Sequence, residues 1–169
     1  MKHFFALTVV LAGSLSVAKA ADPYFGIGFH PNPESKTIGD VDYESEVFLT
    51  AKLGQSKSFG YLGWFIEGGL TPTAVNENGS TDSSYLDYTT FGAGLDLQLG
   101  ASGLSLFAGG GMSWSKASIK INGVKYSTEE EIEETYYNGG IGYTFDSGFG
   151  VEGSVNSVTG YGVGLHKKF

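Results

Sequence analysis

The feature that most narrows the fold is a two-residue alternation in the C-terminal segment, residues 161–169. Tyr161, Val163 and Leu165 fall on one face, with Phe169 ending the same row, and Gly162, Gly164, His166 and Lys168 fall on the other. A half-apolar β-strand has this period, and a helix does not. A terminal strand that ends on an aromatic residue and leaves no tail can act as the closing stave of a barrel.

The same alternation recurs upstream, and eight strands are expected in all. The first, 24–30, sets Phe25, Ile27 and Phe29 against Gly26, Gly28 and His30. The second, 43–53, sets Val47, Leu49, Ala51 and Leu53 against Glu46, Phe48, Thr50 and Lys52. The third, 61–71, carries Leu62, Trp64, Ile66 and Leu70 opposite Glu67. The fourth, 85–99, is the most regular: Phe91, Ala93, Leu95, Leu97 and Leu99 alternate with Gly92, Gly94, Asp96 and Gln98. Segments 104–115, 135–145 and 149–157 continue the pattern, the last with Glu152 and Asn156 on the polar side.

The connections alternate too. Polar stretches at 31–42, 76–82 and 116–134 are long, whereas 54–60, 100–103 and 146–148 are short. Asp146-Ser147-Gly148 is a hairpin signal. Short turns at one end and long loops at the other are the habit of membrane barrels, and an even strand count puts both chain ends on the short-turn side. Aromatic residues fall into two bands. Tyr24, Phe59, Tyr61, Phe145, Phe149 and Phe169 lie toward the short turns, and Phe29, Tyr43, Tyr85, Trp114, Tyr137 and Tyr161 toward the long loops. Aromatic rings favour the headgroup region, so two bands one strand apart suit a membrane girdle.

The closing strand resembles the insertion signal of bacterial outer-membrane β-barrels: Gly164 lies five residues before the end, Tyr161, Val163 and Leu165 share one parity, and Phe169 is last. Lys167 departs from that pattern, where the family places an apolar or aromatic residue. The chain as a whole is similar to the transmembrane domain of OmpA and to the OmpX/Ail group. The resemblance implies an all-β fold, an eight-stranded antiparallel up-and-down transmembrane β-barrel. It further implies recognition by the barrel-assembly machinery, contact with outer-membrane lipid and lipopolysaccharide, and a structural or cell-surface role reached through the long loops.

Composition agrees. Residues 1–20 read as a secretory leader, with a basic start, an apolar run from Phe4 to Val17 and Ala18-Lys19-Ala20 as a small-x-small cleavage site; 21–169 are the expected barrel domain. There is no cysteine, so an exported domain of this kind needs another source of stability. The net charge is −8 and arginine is absent, which argues against nucleic acid as a partner. Beyond the leader no apolar run reaches the length of a membrane helix, and strands escape such scans because their two faces cancel.

Little in the sequence suggests catalysis. His30 and His166 lack a Ser or Asp at a spacing that makes a nucleophile pair, and the run from Glu129 to Glu134 lacks calcium-loop spacing. No catalytic, cofactor or metal site is expected, and a monomer is expected. A polar lumen cluster is expected from Lys52, Glu67, Asp96, Gln98 and Glu152, with Glu46 and Lys168 toward the ends. Charges enclosed in a barrel must pair or stay wet. Two other readings compete. One is a soluble, lipocalin-like barrel with an apolar ligand in its lumen; the other is a narrow ion or water path lined by acids.

Overall fold

The computed structural model describes residues 22–31, 33, 36–38, 41–43, 47–72, 82–121 and 124–169. The expected leader, Glu46 and residues 76–81 of the expected loop 76–82 lie outside the described residues, as do the side chains of Tyr43 and Tyr85.

The strands are β1 (Asp22–His30), β2 (Lys36–Ile38), β3 (Val41–Tyr43), β4 (Phe48–Phe59), β5 (Leu62–Leu70), β6 (Asp82–Gln98), β7 (Leu104–Ile121), β8 (Val124–Thr144), β9 (Phe149–Asn156) and β10 (Gly160–Lys168). Eight of them, β1 and β4 to β10, close into an antiparallel barrel in which β10 pairs with β1, while β2 and β3 form a separate hairpin. The closing seam aligns Ile27 with Leu165 and Gly28 with Gly164. It continues past the last strand, where Phe169 N–H donates to Pro23 O at 2.9 Å. Closure leaves every stave paired on both sides within the wall, which is how a β-structure avoids open edges in lipid.

Alternation sorts the two faces of the wall. Ile27, Leu95, Val151, Val163 and Leu165 are exposed on the outside, while Lys52, Glu67, Asp96 and Gln98 are buried inside. The inner face is not purely polar. Tyr24, Phe65 and Phe107 form one buried aromatic group, and Phe48, Leu86, Tyr88, Ala117, Tyr136 and Val158 form another toward the long-loop end.

Inward glycines make room for these rings. A Cβ on Gly94 would strike the Phe65 ring, one on Gly140 the Phe107 ring, and one on Gly69 the Phe48 ring; on Gly162 it would come within 2.6 Å of His30 Cε1. Each ring therefore lies over a glycine of another strand. Part of the high glycine content, 27 residues, serves the filling of a narrow lumen, whereas Gly60, Gly100, Gly103, Gly148 and Gly160 take positive φ.

Four expectations need correction. The second expected strand, 43–53, starts later and ends later. Val41–Tyr43 belongs to the β2–β3 hairpin, and β4 runs from Phe48 to Phe59. The expected connection 54–60 is mostly strand, because Gln55 and Ser56 still pair with Pro23 and Asp22, and the Ser56 hydroxyl donates to Asp22 O at 3.2 Å. An irregularity between Gln55 and Phe59, with Lys57 at φ 59°, then bends β4 into its turn.

The expected charged loop 116–134 is a hairpin. Lys116 pairs with Glu131, Ser118 with Ser127 and Ile121 with Val124. Like-charged glutamates did not prevent a strand, because they stand opposite serine, tryptophan and lysine rather than one another. Finally, Tyr24 is not part of the girdle. It points into the lumen, 7 % exposed, with its ring 6.2 Å from that of His166. The remaining short-turn aromatics, Phe59, Tyr61, Phe145, Phe149 and Phe169, are all exposed, as are Phe29, Tyr137 and Tyr161 toward the other end.

Candidate functional site

Strand parity turns the expected cluster residues toward the lumen. Lys52 is on β4, opposite Glu67 of β5 in register, and Glu152 projects from β9 across the barrel. Lys52 Nζ donates to Glu152 Oε1 at 2.8 Å and lies 3.9 Å from Glu67 Oε2. The ammonium sits 3.8 Å from the centre of the Phe107 ring and 4.9 Å from that of Phe65. One cation is thus held by two carboxylates and two aromatic faces, a cage that replaces its water.

Further partners complete the band. Asn138 Nδ2 donates to Glu67 Oε1 at 2.8 Å. His166 Nδ1 lies 3.8 Å from Glu152 Oε2, and its Nε2 lies 2.9 Å from the Thr144 hydroxyl. In the sequence His166 falls only on a polar face and Asn138 is not singled out; nothing in their spacing marks them as neighbours of Glu152 and Glu67. Only the barrel's shear brings strands so distant in sequence to one level.

The expected cluster is split. Lys52, Glu67 and Glu152 are together, whereas Asp96 and Gln98 form a second group at the short-turn mouth. There Gln98 Nε2 donates to Asp96 Oδ2 at 2.9 Å, and Lys168 Nζ donates to Gln98 Oε1 at 3.0 Å. Toward the long loops the lumen holds a buried cluster of Phe48, Leu86, Tyr88, Tyr136 and Val158. His30 sits beside them, its ring 5.8 Å from that of Phe48 and its Nδ1 3.1 Å from the Thr159 hydroxyl. From end to end the interior is a layer of rings interleaved with buried hydroxyls such as Thr90, Ser113 and Ser115, an ion-paired band and a polar mouth.

The five residues of the closing strand fall where parity expects. Tyr161, Val163, Leu165 and Phe169 are exposed on the outer wall. Gly164 faces inward, where a Cβ would come within 2.7 Å of Glu152 Cγ. Lys167, the departure from the terminal pattern, is on the outer row but reaches the rim. Its Nζ donates to Ser147 O at 2.6 Å and lies 4.3 Å from the centre of the Phe149 ring. An apolar stem along the wall with the charge turned toward the interface makes lysine compatible with this position.

A third feature is the unequal height of the staves. β5 pairs with β6 up to Leu70 and Thr89, and β8 pairs with β9 from Asn138 to Thr144. Beyond these points β6, β7 and β8 continue as a three-stranded sheet, with Asp82 opposite Ile121 and Ile121 opposite Val124. Asn122-Gly123, between Ile121 and Val124, is a two-residue hairpin signal that could have revealed this extension in the sequence.

No family model matches the chain, and no curated protein matches it. Solved structures do. Ail, the attachment invasion locus protein of Yersinia pestis, superimposes with a TM-score of 0.64 at 16 % identity, over 88 % of this chain and 95 % of that one. Neisserial surface protein A, NspA, gives a TM-score of 0.56 at 13 % identity, over 88 % and 97 %. The N-terminal β-barrel domain of Pseudomonas aeruginosa OprF gives 0.53 at 11 % identity, over 87 % and 97 %. Ail has also been solved in complex with the heparin analogue sucrose octasulfate. At such identities the likeness is one of fold, and it spans nearly the whole of each neighbour. The chain therefore has the fold of the small eight-stranded barrels that include the OmpA transmembrane domain and the OmpX/Ail group.

Proposed function

We propose that this protein is an integral outer-membrane barrel that is exported behind a leader cleaved after Ala20, closes its own lumen, and displays the β6–β8 extension outside the cell for interaction. The observation that carries the reading is the polarity of the wall. Exposed outer positions such as Ile27, Leu95, Val155, Val163 and Leu165 are apolar, while lysine and carboxylates are enclosed. A soluble ligand carrier needs the reverse arrangement. The lumen here is filled by its own rings and ion pairs, which argues against both an apolar cargo and a diffusion path. The role is non-catalytic, and the unit is a monomer set in lipid and lipopolysaccharide after insertion by the assembly machinery, for which 161–169 supply the signal.

Two experiments bear on it. A Val163→Arg substitution on the outer wall is expected to destabilise the folded barrel by about 2–4 kcal/mol in bilayers, the cost of a cation near the midplane. Unfolding in denaturant measures it, and a change within about 0.5 kcal/mol, usual for a water-exposed surface, would contradict a lipid-facing wall. Topology is read by labelling, since the chain has no cysteine. A membrane-impermeant maleimide applied to intact cells should label Tyr126→Cys on the extension and spare Asp146→Cys in the opposite turn. The reverse pattern would place the extension inside the envelope.

A further inference from the structure

Lys167 interrupts the apolar outer row of the closing strand, and its surroundings give the interruption a use. Its Nζ donates to Ser147 O at 2.6 Å and lies 4.3 Å from the centre of the Phe149 ring, and Lys167 and Phe149 stand opposite one another across β10 and β9. An ammonium has three N–H donors, so these contacts leave room for a further acceptor. Among the described residues no carboxylate pairs with it. One step from the rim along the same two outer rows lie Leu165 and Val151, which border an apolar groove of about 940 Å³. Ile141, Tyr143 and Val163 border it too. Gly153 is its low point: it stands between Val163 and Ile141 in register, and a Cβ there would meet nothing within 4 Å.

We propose that the groove and Lys167 together bind one anionic phospholipid of the periplasmic leaflet, with an acyl chain lying over Gly153 and the headgroup phosphate at Lys167 Nζ. Depth selects the leaflet. Four residues of β9 lead from Phe149 to Gly153, about 13 Å along the strand and roughly 10 Å in depth at the tilt of membrane strands. Half of the hydrocarbon core is about 15 Å, so a chain whose headgroup sits at the Lys167 rim reaches Gly153 within its own leaflet. Charge selects the headgroup. A lone phosphate supplies the counter-ion that Lys167 lacks, whereas a zwitterionic headgroup brings a second ammonium toward it. The chain as a whole is acidic, with net charge −8, so a preference for an anionic lipid has to come from this local cation and not from the overall field.

The inference rests on the reading of the wall as lipid-facing, with the short turns in the periplasm. Its test uses purified full-length protein in nonionic detergent, titrated with dioleoyl phosphatidylglycerol or dioleoyl phosphatidylcholine and followed by native mass spectrometry. Heat-dependent gel mobility and insertion into phosphatidylcholine vesicles are measured on the same samples. One phosphatidylglycerol should be retained per barrel, at least tenfold tighter than phosphatidylcholine. Lys167→Leu restores an apolar outer row and should bring the two lipids within twofold of each other, while Lys167→Arg should keep the preference. Gly153→Leu fills the groove and should weaken phosphatidylglycerol binding at least fivefold.

Equal retention of the two lipids, a preference that survives Lys167→Leu, unaltered binding by folded Gly153→Leu, or lipid-free dimers in place of lipid-bound monomers would each overturn the site and leave the lipid-facing wall standing. An unmutated chain with no heat-dependent shift and no insertion into vesicles would overturn both.

Discussion

Replacing Lys52 with alanine should cost the barrel about 3–5 kcal/mol of stability, the usual effect of breaking a buried ion pair from one side. The reason is specific to the site. Lys52 is 3 % exposed and is the cation that Glu152 and Glu67 share, at 2.8 Å and 3.9 Å. Without it two carboxylates remain enclosed at one level of a narrow lumen, and the faces of Phe65 and Phe107 lose the charge they cover. The cost therefore comes from what is left behind rather than from the attraction lost. A triple variant, Lys52→Met with Glu67→Gln and Glu152→Gln, removes the stranded charges and should recover most of the loss. Denaturant unfolding of the barrels in lipid, followed by tryptophan fluorescence or gel mobility, measures all three states. If Lys52→Ala and the triple variant were equally unstable, the ion-paired band would not be the source of the effect. Lys52→Ala should also stay silent in planar bilayers, because Phe48, Tyr88 and Tyr136 still pack together in the lumen above it.

The second large effect concerns a pair with no charge. Gly69 faces the Phe48 ring, and a Cβ there would lie 2.6 Å from Phe48 Cε1 and 2.9 Å from the Thr90 hydroxyl oxygen. Gly69→Val should therefore destabilise by about 1–3 kcal/mol through overpacking. Phe48→Ala should cost about 3–5 kcal/mol by emptying a fully buried site. Made together, the two changes should cost less than their sum, because the valine enters space the ring has vacated, with a coupling of about 0.5–3 kcal/mol. Strict additivity would mean that the glycine does not exist to seat the ring. The same cycle can be run at Gly162 and His30, where the three nearest atoms all belong to the ring.

These two sites show how far the sequence could be read. Parity placed Lys52, Glu67, Asp96, Gln98 and Glu152 inside and Val163 and Leu165 outside, because a strand offers only two directions. Parity says nothing of height along the barrel axis. That is why Asp96 pairs with Gln98, and Gln98 with Lys168, at the mouth rather than with Lys52 at the centre. Height follows from the stagger of the staves, which no local pattern encodes.

The partnership of rings and glycines was hidden for the same reason. Gly94 and Phe65 are close only because β5 and β6 align Phe65 with Gly94. Tyr24 was misread because an aromatic residue at a strand end suits a girdle and a lumen equally, and only its register beside Lys168 and Gly54 decides. The hairpin within 116–134 was missed because six residues, five of them glutamate, hide a strand whose sequence signal is the pair Asn122-Gly123.

Everything above depends on the wall facing lipid. The most direct test is the gel mobility of the protein extracted from the outer-membrane fraction, left unheated or boiled in SDS. A closed barrel resists the detergent, so the unheated band should migrate apart from the boiled one, and it should be found in that fraction. A single, heat-insensitive band recovered from the soluble periplasmic fraction would contradict the account and return the lumen to consideration as a ligand pocket.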